Sequence, residues 1–266
     1  MKKMIQIQTQ CFCGSQVTHK LFGAHPYIIV TCLACGQVRT QTPHGIKRTQ
    51  FYKKENFSIY IEKESMFRNI FSEKIRFIQR FRKDGTLLDI GAGVGLFIDE
   101  ARIAGFDAMG FEPSKSAVAA AKKYLHVSLI NVEFNQSFAK GPYDIVVINH
   151  VLEHMASPKE IIGEVSHVVK KNGILVIGLP NFDSILRYIK RGRWQSLIPD
   201  QHRWHFTLKT LDQLILRFGF TRLGVEYENH DRHMIPVWKQ RIYEIIDTIA
   251  LATGTAEAMF VVYQKT

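Results

Sequence analysis

The chain has 266 residues, of which 46% are hydrophobic, enough for one full α/β domain with a sizeable core and a small additional module. No apolar run reaches the ~18–20 residues that cross a membrane, and the first ten residues contain no apolar stretch long enough for a secretory signal. These features predict a cytoplasmic protein without a transmembrane segment. The net charge of +11 suits an anionic partner, such as a phosphorylated small molecule, RNA or an anionic membrane face, and solubility alone would also explain it.

The first of three predicted regions, residues 1–45, contains all four cysteines of the chain in two close pairs: Cys11, Cys13, Cys32 and Cys35. In a reduced chain such pairs favour a metal over disulfides, and Cys32-Leu-Ala-Cys35-Gly36 is typical of a zinc knuckle. The first pair has one intervening residue instead of two, so a distorted site, or one in which His19 or His25 replaces a thiolate, stays open. We predict a closed structural zinc site of four cysteines, in which the metal does not catalyse.

The second region, residues 46–85, is predicted to be a basic linker followed by a helix. Six apolar side chains recur there at helical spacing: Phe67, Ile70, Phe71, Ile75, Ile78 and Phe81. The third region, residues 86–266, alternates strands and helices, which implies right-handed crossovers between parallel strands. Strands are predicted at 87–90, 108–111, 127–132, 143–149, 173–179, 220–227 and 259–263. Helices are predicted at 96–104, 114–124, 158–169, 208–218 and 237–251, and Ser114 is a plausible cap of the second one. The predicted fold class is α/β, a Rossmann-like and mainly parallel seven-stranded sheet with helices on both faces.

A glycine-rich turn, Asp89-Ile-Gly91-Ala92-Gly93-Val-Gly95, joins the first of these strands to the next helix. Glycines permit positive φ angles and a close ligand, and the helix start offers free N–H groups. A nicotinamide site would need its third glycine at position 96, which is Leu96. The second strand ends at Glu112, an acid that can accept both hydroxyls of a ribose. Together these features favour a nucleoside cofactor over an ordinary tight turn with a surface glutamate.

The turn resembles motif I of class I S-adenosylmethionine-dependent methyltransferases. The resemblance implies that Asp89 faces the amino group of S-adenosylmethionine and that the glycines pass beneath its methionine part. Leu152-Glu153-His154 after strand four, Pro180-Asn181 after strand five, and the segment from Trp194 to Phe206 are similar to a small-molecule subgroup of this family. The cofactor-binding residues that we expect are Asp89, Gly91, Ala92, Gly93, Gly95, Glu112, Pro113 and Asn149.

The resemblance covers about residues 86–227 and implies methyl transfer to a small-molecule acceptor: a sugar, sugar nucleotide, phenol or lipid-linked intermediate. A hydroxyl acceptor also needs a base, and histidine suits this role near neutral pH. We predict His202 and His154 as catalytic residues, with a structural hydrogen bond as the alternative role of each, and His150 and His205 behind them. Glu153 and His154 are also similar to a segment that can hold a divalent metal in ubiquinone-type O-methyltransferases, but those relatives carry a further acid where His150 stands.

Other functions stay open at this point. An RNA methyltransferase would hold RNA with the zinc ribbon and the basic surface, although no Asn-Pro-Pro-Tyr-like tetrad follows strand four. A non-catalytic module that keeps the cofactor fold is a third hypothesis, which the intact glycine loop disfavours. The sequence does not set the oligomeric state. The helix near 237–252 is predicted to cap the pocket or pack on the core, with a dimer contact or a membrane contact as alternatives.

Overall fold

The computed structural model of the protein describes residues 10–43, 58–135, 137, 139, 141–229 and 236–266. The predicted basic linker before Ser58 lies outside the described residues. Three strands come first: β1 (Thr18–Ala24), β2 (Tyr27–Cys32) and β3 (Val38–Gln41). The next elements are α1 (Ser58–Glu62), α2 (Glu64–Gln79), β4 (Thr86–Ile90), α3 (Leu96–Ile103), β5 (Asp107–Phe111), α4 (Lys115–Ala120), β6 (Tyr143–Asn149), α5 (Pro158–Val168) and β7 (Val169–Pro180). The last are α6 (Ile185–Lys190), β8 (Trp204–His205), α7 (Leu208–Ile215), β9 (Phe220–Glu228), α8 (Val237–Thr253) and β10 (Ala258–Lys265).

The main sheet has the strand order β5-β4-β6-β7-β10-β9, in which β5 to β7 are parallel and β10 runs antiparallel to both neighbours. This arrangement confirms the predicted Rossmann-like, mainly parallel α/β fold. The predicted strand at 127–132 is reduced to an isolated bridge between Ile130 and Phe111, so the described sheet has six strands instead of seven. The bridge ends at once because the chain turns back, with the Val132 N–H donating to the Ile130 carbonyl (3.0 Å).

The core lies on both faces of this sheet. Neighbouring residues of one strand face opposite sides, so Leu87 packs in one hydrophobic cluster and Leu88 in the other. Side chains of α2 and α3 join the cluster of Leu87, and side chains of α5 and α7 join the cluster of Leu88. With both faces covered, most of β6 and the part of β7 from residue 173 onward are apolar and buried, as expected of buried parallel strands. Among the described residues, no helix combines enough length with enough apolar character to cross a bilayer.

The N-terminal region is joined to the main domain by a second sheet, with the order β1-β2-β3-β8. At this junction the Thr40 backbone N–H donates to the Arg203 carbonyl (2.9 Å), and the Gln37 side-chain amide donates to the His205 carbonyl (2.9 Å). Phe12 packs in the main core, with its ring centroid 6.3 Å from that of Trp204. The cysteine-containing region therefore shares a sheet and a core with the α/β domain.

At the amino ends of the parallel strands, the buried carboxylate of Asp144 in β6 accepts several hydrogen bonds. Its carboxylate accepts hydrogen bonds from Arg82, from Lys170 (2.7 Å), and from the backbone and hydroxyl of Thr86 (3.0 and 2.9 Å). Burial alone raises the pKa of Asp144, but the Lys170 ammonium, the Thr86 donors and the Arg82 guanidinium outweigh it and lower the pKa to about 2. The ionised carboxylate thus holds the starts of β4, β6 and β7 together.

We expect Asp144→Asn to lower the free energy of unfolding by about 1–2 kcal/mol at pH 7, because one pKa unit corresponds to about 1.4 kcal/mol and the partners are partly exposed. Since the folded pKa lies below the unfolded one, the contribution is present above about pH 4 and disappears as the pH falls to about 2. Urea denaturation of the wild type and the variant at pH 7 and pH 3 measures the difference. Asp107→Asn, at an exposed position of β5, is the control. An equal loss at both pH values would contradict the role of the ionised carboxylate.

Candidate active site

A cavity of about 1300 Å³ opens at the carboxyl ends of β4, β5 and β6. All the predicted cofactor-binding residues except Gly95 line it: Asp89, Gly91, Ala92, Gly93, Glu112, Pro113 and Asn149. Gly95 instead begins α3 with a φ of 82° and lies against Val127. Open α/β sheets bind ligands at this edge, so the topology places the predicted residues where a ligand is expected.

The glycine turn is fixed against the end of β5. The N–H groups of Gly91 and Ala92 both donate to the Phe111 carbonyl (2.8 and 3.0 Å). Gly91 has a φ of 79°, and a Cβ atom there would lie 2.4 Å from a methyl group of Val151. Both the backbone conformation and the lack of space therefore require glycine at this position.

Two buried carboxylates face the cavity from neighbouring strands. Asp89 Oδ1 has no hydrogen-bond partner among the described residues, and burial, followed by the charge of Glu112, raises the pKa of Asp89 to about 7. Glu112 accepts the Gly93 N–H at Oε2 (2.9 Å) and the Ser114 N–H at Oε1 (2.7 Å), while burial raises its pKa. A buried carboxylate oxygen without a partner is unfavourable. The pair is therefore suited to a ligand that brings a cation and further donors.

Lys74, a buried lysine that was not predicted as a site residue, lines the same cavity. Its Nζ lies 2.9 Å from Glu228 Oε1, 3.4 Å from Asn149 Oδ1 and 4.5 Å above the Phe260 ring. One signal could have revealed it. Lys74 follows Phe71 by three residues, so a charge interrupts the apolar stripe of α2.

On the other side of the cavity, the turn after β6 brings a carboxylate and imidazoles together. His150 has a φ of 54°, a conformation that is uncommon for a residue with a side chain. Its Nδ1 lies 3.4 Å from Oε1 of the buried Glu153, which belongs to the 3₁₀ turn Leu152–His154. Burial alone raises the pKa of Glu153, but His150, His154 and His202 outweigh it and lower the pKa to about 2.

The two predicted catalytic histidines contact one another, with ring centroids 4.7 Å apart. His154 lines the cavity, whereas His202 is buried and is not among the lining residues. His202 Nδ1 donates to the Ser196 carbonyl (2.9 Å), and burial lowers the pKa of His202 to about 4, so this ring is neutral at pH 7. Burial also lowers the pKa of His154. The structure thus brings both residues together but presents only His154 to a ligand.

His205 does not face the cavity: its Nε2 lies 2.8 Å from Thr40 Oγ1 and its ring packs on Phe182.

Glu153, His154 and His202 each offer a ligand atom within 4.8 Å of the others. They form a second group that can hold a metal ion, in addition to the four cysteines. His150 stands 3.4 Å from Glu153 in the place of the further acid.

The four cysteines converge as the sequence predicts. Their sulfur atoms all lie within 4.8 Å of one another, with Cys11 and Cys35 at 3.4 Å and Cys13 and Cys32 at 3.6 Å. No histidine belongs to this group among the described residues, so a replacement of one thiolate by His19 or His25 finds no support.

The buried guanidinium of Arg39 lies beside the cysteines, and none of its nitrogens has a hydrogen-bond partner among the described residues. Burial lowers the pKa of Arg39, and negative charge on all four cysteines acts in the opposite direction. An unpaired buried cation is costly, so this environment is suited to thiolates, the form that binds a metal.

A sequence model described as a methyltransferase domain matches residues 63–224. A ubiquinone biosynthesis O-methyltransferase from Rhodopseudomonas palustris is 25% identical over half of the chain, and one from Caulobacter vibrioides is 27% identical over half of the chain. The matched segments cover 62% and 60% of these relatives, so the chain spans less than two thirds of their length.

Solved structures share the fold at low identity. A methyltransferase from Thermotoga maritima, described as a possible histamine N-methyltransferase, covers 79% of the chain and 98% of its own length, with a TM-score of 0.55 and 15% identity. The magnesium protoporphyrin IX methyltransferase of Synechocystis, solved with S-adenosylmethionine, covers 84% of the chain and 88% of its own length, with a TM-score of 0.50 and 12% identity. Since the family match extends over more than half of the chain, the protein belongs to the methyltransferase domain family, and it shares the fold of the solved S-adenosylmethionine-dependent methyltransferases.

Proposed function

We propose that the protein transfers a methyl group from S-adenosylmethionine to a small-molecule acceptor held in the same cavity. The observation that carries this proposal is one continuous cavity of about 1300 Å³, which joins Asp89 and Glu112 to His154, Gln201 and Arg203. Small-molecule sites typically occupy about 300–1000 Å³, so the space suffices for a cofactor and a modest acceptor together. Relatives that methylate ubiquinone precursors make a phenol one acceptor class to test first.

The residues at one end of the cavity fit the charges of S-adenosylmethionine. Asp89 has an unpartnered oxygen for the amino group, and Lys74 supplies the buried cation that a carboxylate needs. Glu112 keeps lone pairs for ribose hydroxyls beyond the two backbone bonds that orient it. When bound, S-adenosylmethionine supplies a methyl group on a positively charged sulfonium. The chain contributes alignment, which in such displacements is a major part of catalysis.

The residues at the other end serve the acceptor. His154 faces the cavity and takes or holds the proton of an acceptor hydroxyl. His202 touches His154 and is fixed on the Ser196 carbonyl, so we assign it the role of a positioning residue. A divalent metal held by Glu153, His154 and His202 is a second use of the same group, favoured by the convergence of their ligand atoms within 4.8 Å.

The four cysteines fit a structural zinc ion. With Zn–S bonds of about 2.3 Å, tetrahedral coordination places the thiolates ~3.8 Å apart, close to the observed 3.4 and 3.6 Å. Four thiolates and Zn²⁺ carry a net charge of about −2, which Arg39 partly balances. Such a site holds β3 in place, and β3 in turn pairs with the acceptor-side segment that contains His202.

The cofactor assignment predicts a pH-dependent affinity. Because the amino group pairs with the ionised form of Asp89, whose pKa is about 7, the affinity for S-adenosylmethionine should fall by up to tenfold per pH unit below about pH 7 and level off above it. Asp89→Asn should weaken binding by about 1–3 kcal/mol at pH 8 and abolish the pH dependence. Titration calorimetry from pH 5.5 to 8.5 measures both effects, with Asp107→Asn as the control. Binding of NAD instead of S-adenosylmethionine would overturn the assignment.

The acceptor assignment predicts different effects for the two histidines. His154→Ala should lower turnover by about 10²–10⁴-fold, the usual contribution of a general base, with an unchanged affinity for S-adenosylmethionine. A screen of catechols and sugar nucleotides with radiolabelled S-adenosylmethionine identifies the acceptor. His202→Asn keeps a donor for the Ser196 carbonyl, so it should retain much more activity than His202→Ala if His202 acts by positioning.

Equal loss in His202→Asn and His202→Ala, with little loss in His154→Ala, would instead make His202 the base. If a divalent metal is used, Glu153→Gln should lose activity together with Mg²⁺ binding, whereas a proton-transfer site should work in metal-free buffer. Near-wild-type turnover by both alanine variants would exclude either role for these histidines.

The zinc assignment predicts about one zinc per chain by elemental analysis. Cys35→Ser should lose the metal and speed amide hydrogen exchange in residues 199–206, because β3 pairs with β8. Leu33→Ser, an exposed change within the same knuckle, is the matched control and should keep the metal. Retention of zinc in a Cys32→Ser, Cys35→Ser double variant would rule out the proposed ligands.

A further inference from the structure

Helix α8 has two apolar faces, of which only one is covered by residues that the structure describes. Tyr243 and Ile246 pack on a cluster that includes Leu186 of α6, and Ala250 is buried. A different set is exposed, with relative accessibilities of 65, 51, 64 and 48%: Trp238, Ile242, Ile245 and Ile249. Their spacing of four, three and four residues confines them to an arc of about 60° at 100° per residue, so they form one continuous stripe.

Basic side chains flank this stripe on α8 itself. Lys239 and Arg241 are exposed and lie about 90° and 70° to either side of its centre. Lys190 lies at the covered face, with Nζ 5.1 Å from the centroid of the Tyr243 ring, and the exposed Arg191 and Arg193 follow it in the chain. The acid of α8 that is exposed, Glu244, lies about 130° around the helix from the centre of the stripe.

This combination favours an anionic partner over a second copy of the chain. Two copies that met through their stripes would bring the same cations together, on a chain whose net charge is already +11. A partner with negative charge and an apolar interior would satisfy both the cations and the stripe. Helices with a tryptophan on the apolar face and Lys or Arg beside it lie in the headgroup region of bilayers in this way.

We propose that α8 docks the protein on the surface of an anionic lipid bilayer, with the stripe Trp238, Ile242, Ile245 and Ile249 in the headgroup region and the surrounding cations on lipid phosphates. The same helix contributes Asp247 and Leu251 to the wall of the cavity. Both residues lie on the side of α8 opposite to the stripe, so docking leaves the helix between the bilayer and the cavity. The docking itself does not depend on methyl transfer and can be tested without an acceptor.

The native fluorescence of the chain makes the test specific. Of its three tryptophans, Trp194 and Trp204 are buried and Trp238 is exposed. Adding vesicles of phosphatidylcholine with 30% phosphatidylglycerol should shift the emission to shorter wavelength, and brominated acyl chains should quench it, whereas Trp238→Phe should show neither change. Co-sedimentation should show stronger binding to these vesicles than to phosphatidylcholine alone, by about fivefold for each basic residue engaged.

Ile242→Gln with Ile245→Gln should weaken vesicle binding at least tenfold and leave the affinity for S-adenosylmethionine unchanged. The matched control, Ile103→Gln with Leu216→Gln, replaces residues that are 71% and 49% exposed elsewhere and should bind vesicles like the wild type. The proposal is overturned if the wild type does not sediment with anionic vesicles, or if the control double variant loses as much binding. It is also overturned if ultracentrifugation shows a dimer that the α8 double variant dissociates.

Discussion

The pairing of β3 with β8 determines how the active site is built. The segment 199–206 is largely buried but has almost no regular structure of its own, so its backbone groups need partners from elsewhere. On one side β3 supplies them, through the Thr40 N–H to the Arg203 carbonyl. On the other side the turn after β6 does, since the Arg203 N–H donates to the Glu153 carbonyl (2.8 Å). The proposed acceptor half of the site is thus held between the N-terminal sheet and the main sheet.

In this arrangement the cysteine region supports the neighbouring strand β3 although it does not line the cavity. Cys11 and Cys32 pack in the main core, and the turn between β2 and β3 carries Cys35. A metal that fixes these cysteines would stabilise β3, and through β8 it would stabilise the segment that contains His202. The cofactor half is independent of this route, because Asp89 and Glu112 are placed by β4 and β5.

The two halves of the cavity also differ in how burial acts on charge. At the proposed cofactor end, burial raises the pKa of both Asp89 and Glu112, and Asp89 Oδ1 has no hydrogen-bond partner among the described residues. At the proposed acceptor end, the buried Glu153 has imidazoles beside it, and they lower its pKa. A carboxylate oxygen is thus left for a positively charged ligand at the first end, whereas the carboxylate at the second end has polar neighbours within the chain. This asymmetry fits a site in which a cationic cofactor binds and an acceptor meets neutral histidines.

The features that were predictable from the sequence are those that depend on residues close to one another in the chain. The glycine turn and the acid at Glu112 follow from backbone conformation and strand ends, and the alternation of elements follows from periodicity. The strand at 127–132 was predicted too long, because its apolar pattern does not show that the chain turns back after Ile130. Strands β1 to β3 were not predicted, since they are short and their stability comes from pairing with one another and with β8.

The sequence did not indicate which of the two histidines faces the cavity. His154 and His202 are 48 residues apart in sequence, and only the junction of the two sheets decides which of them faces the cavity. A pattern of residue types can identify a set of candidate bases, but it does not show which of them is exposed to the cavity and which is buried. In this chain the order follows from burial. His154, on the 3₁₀ turn, lines the cavity, and His202, fixed by the Ser196 carbonyl, is buried behind it.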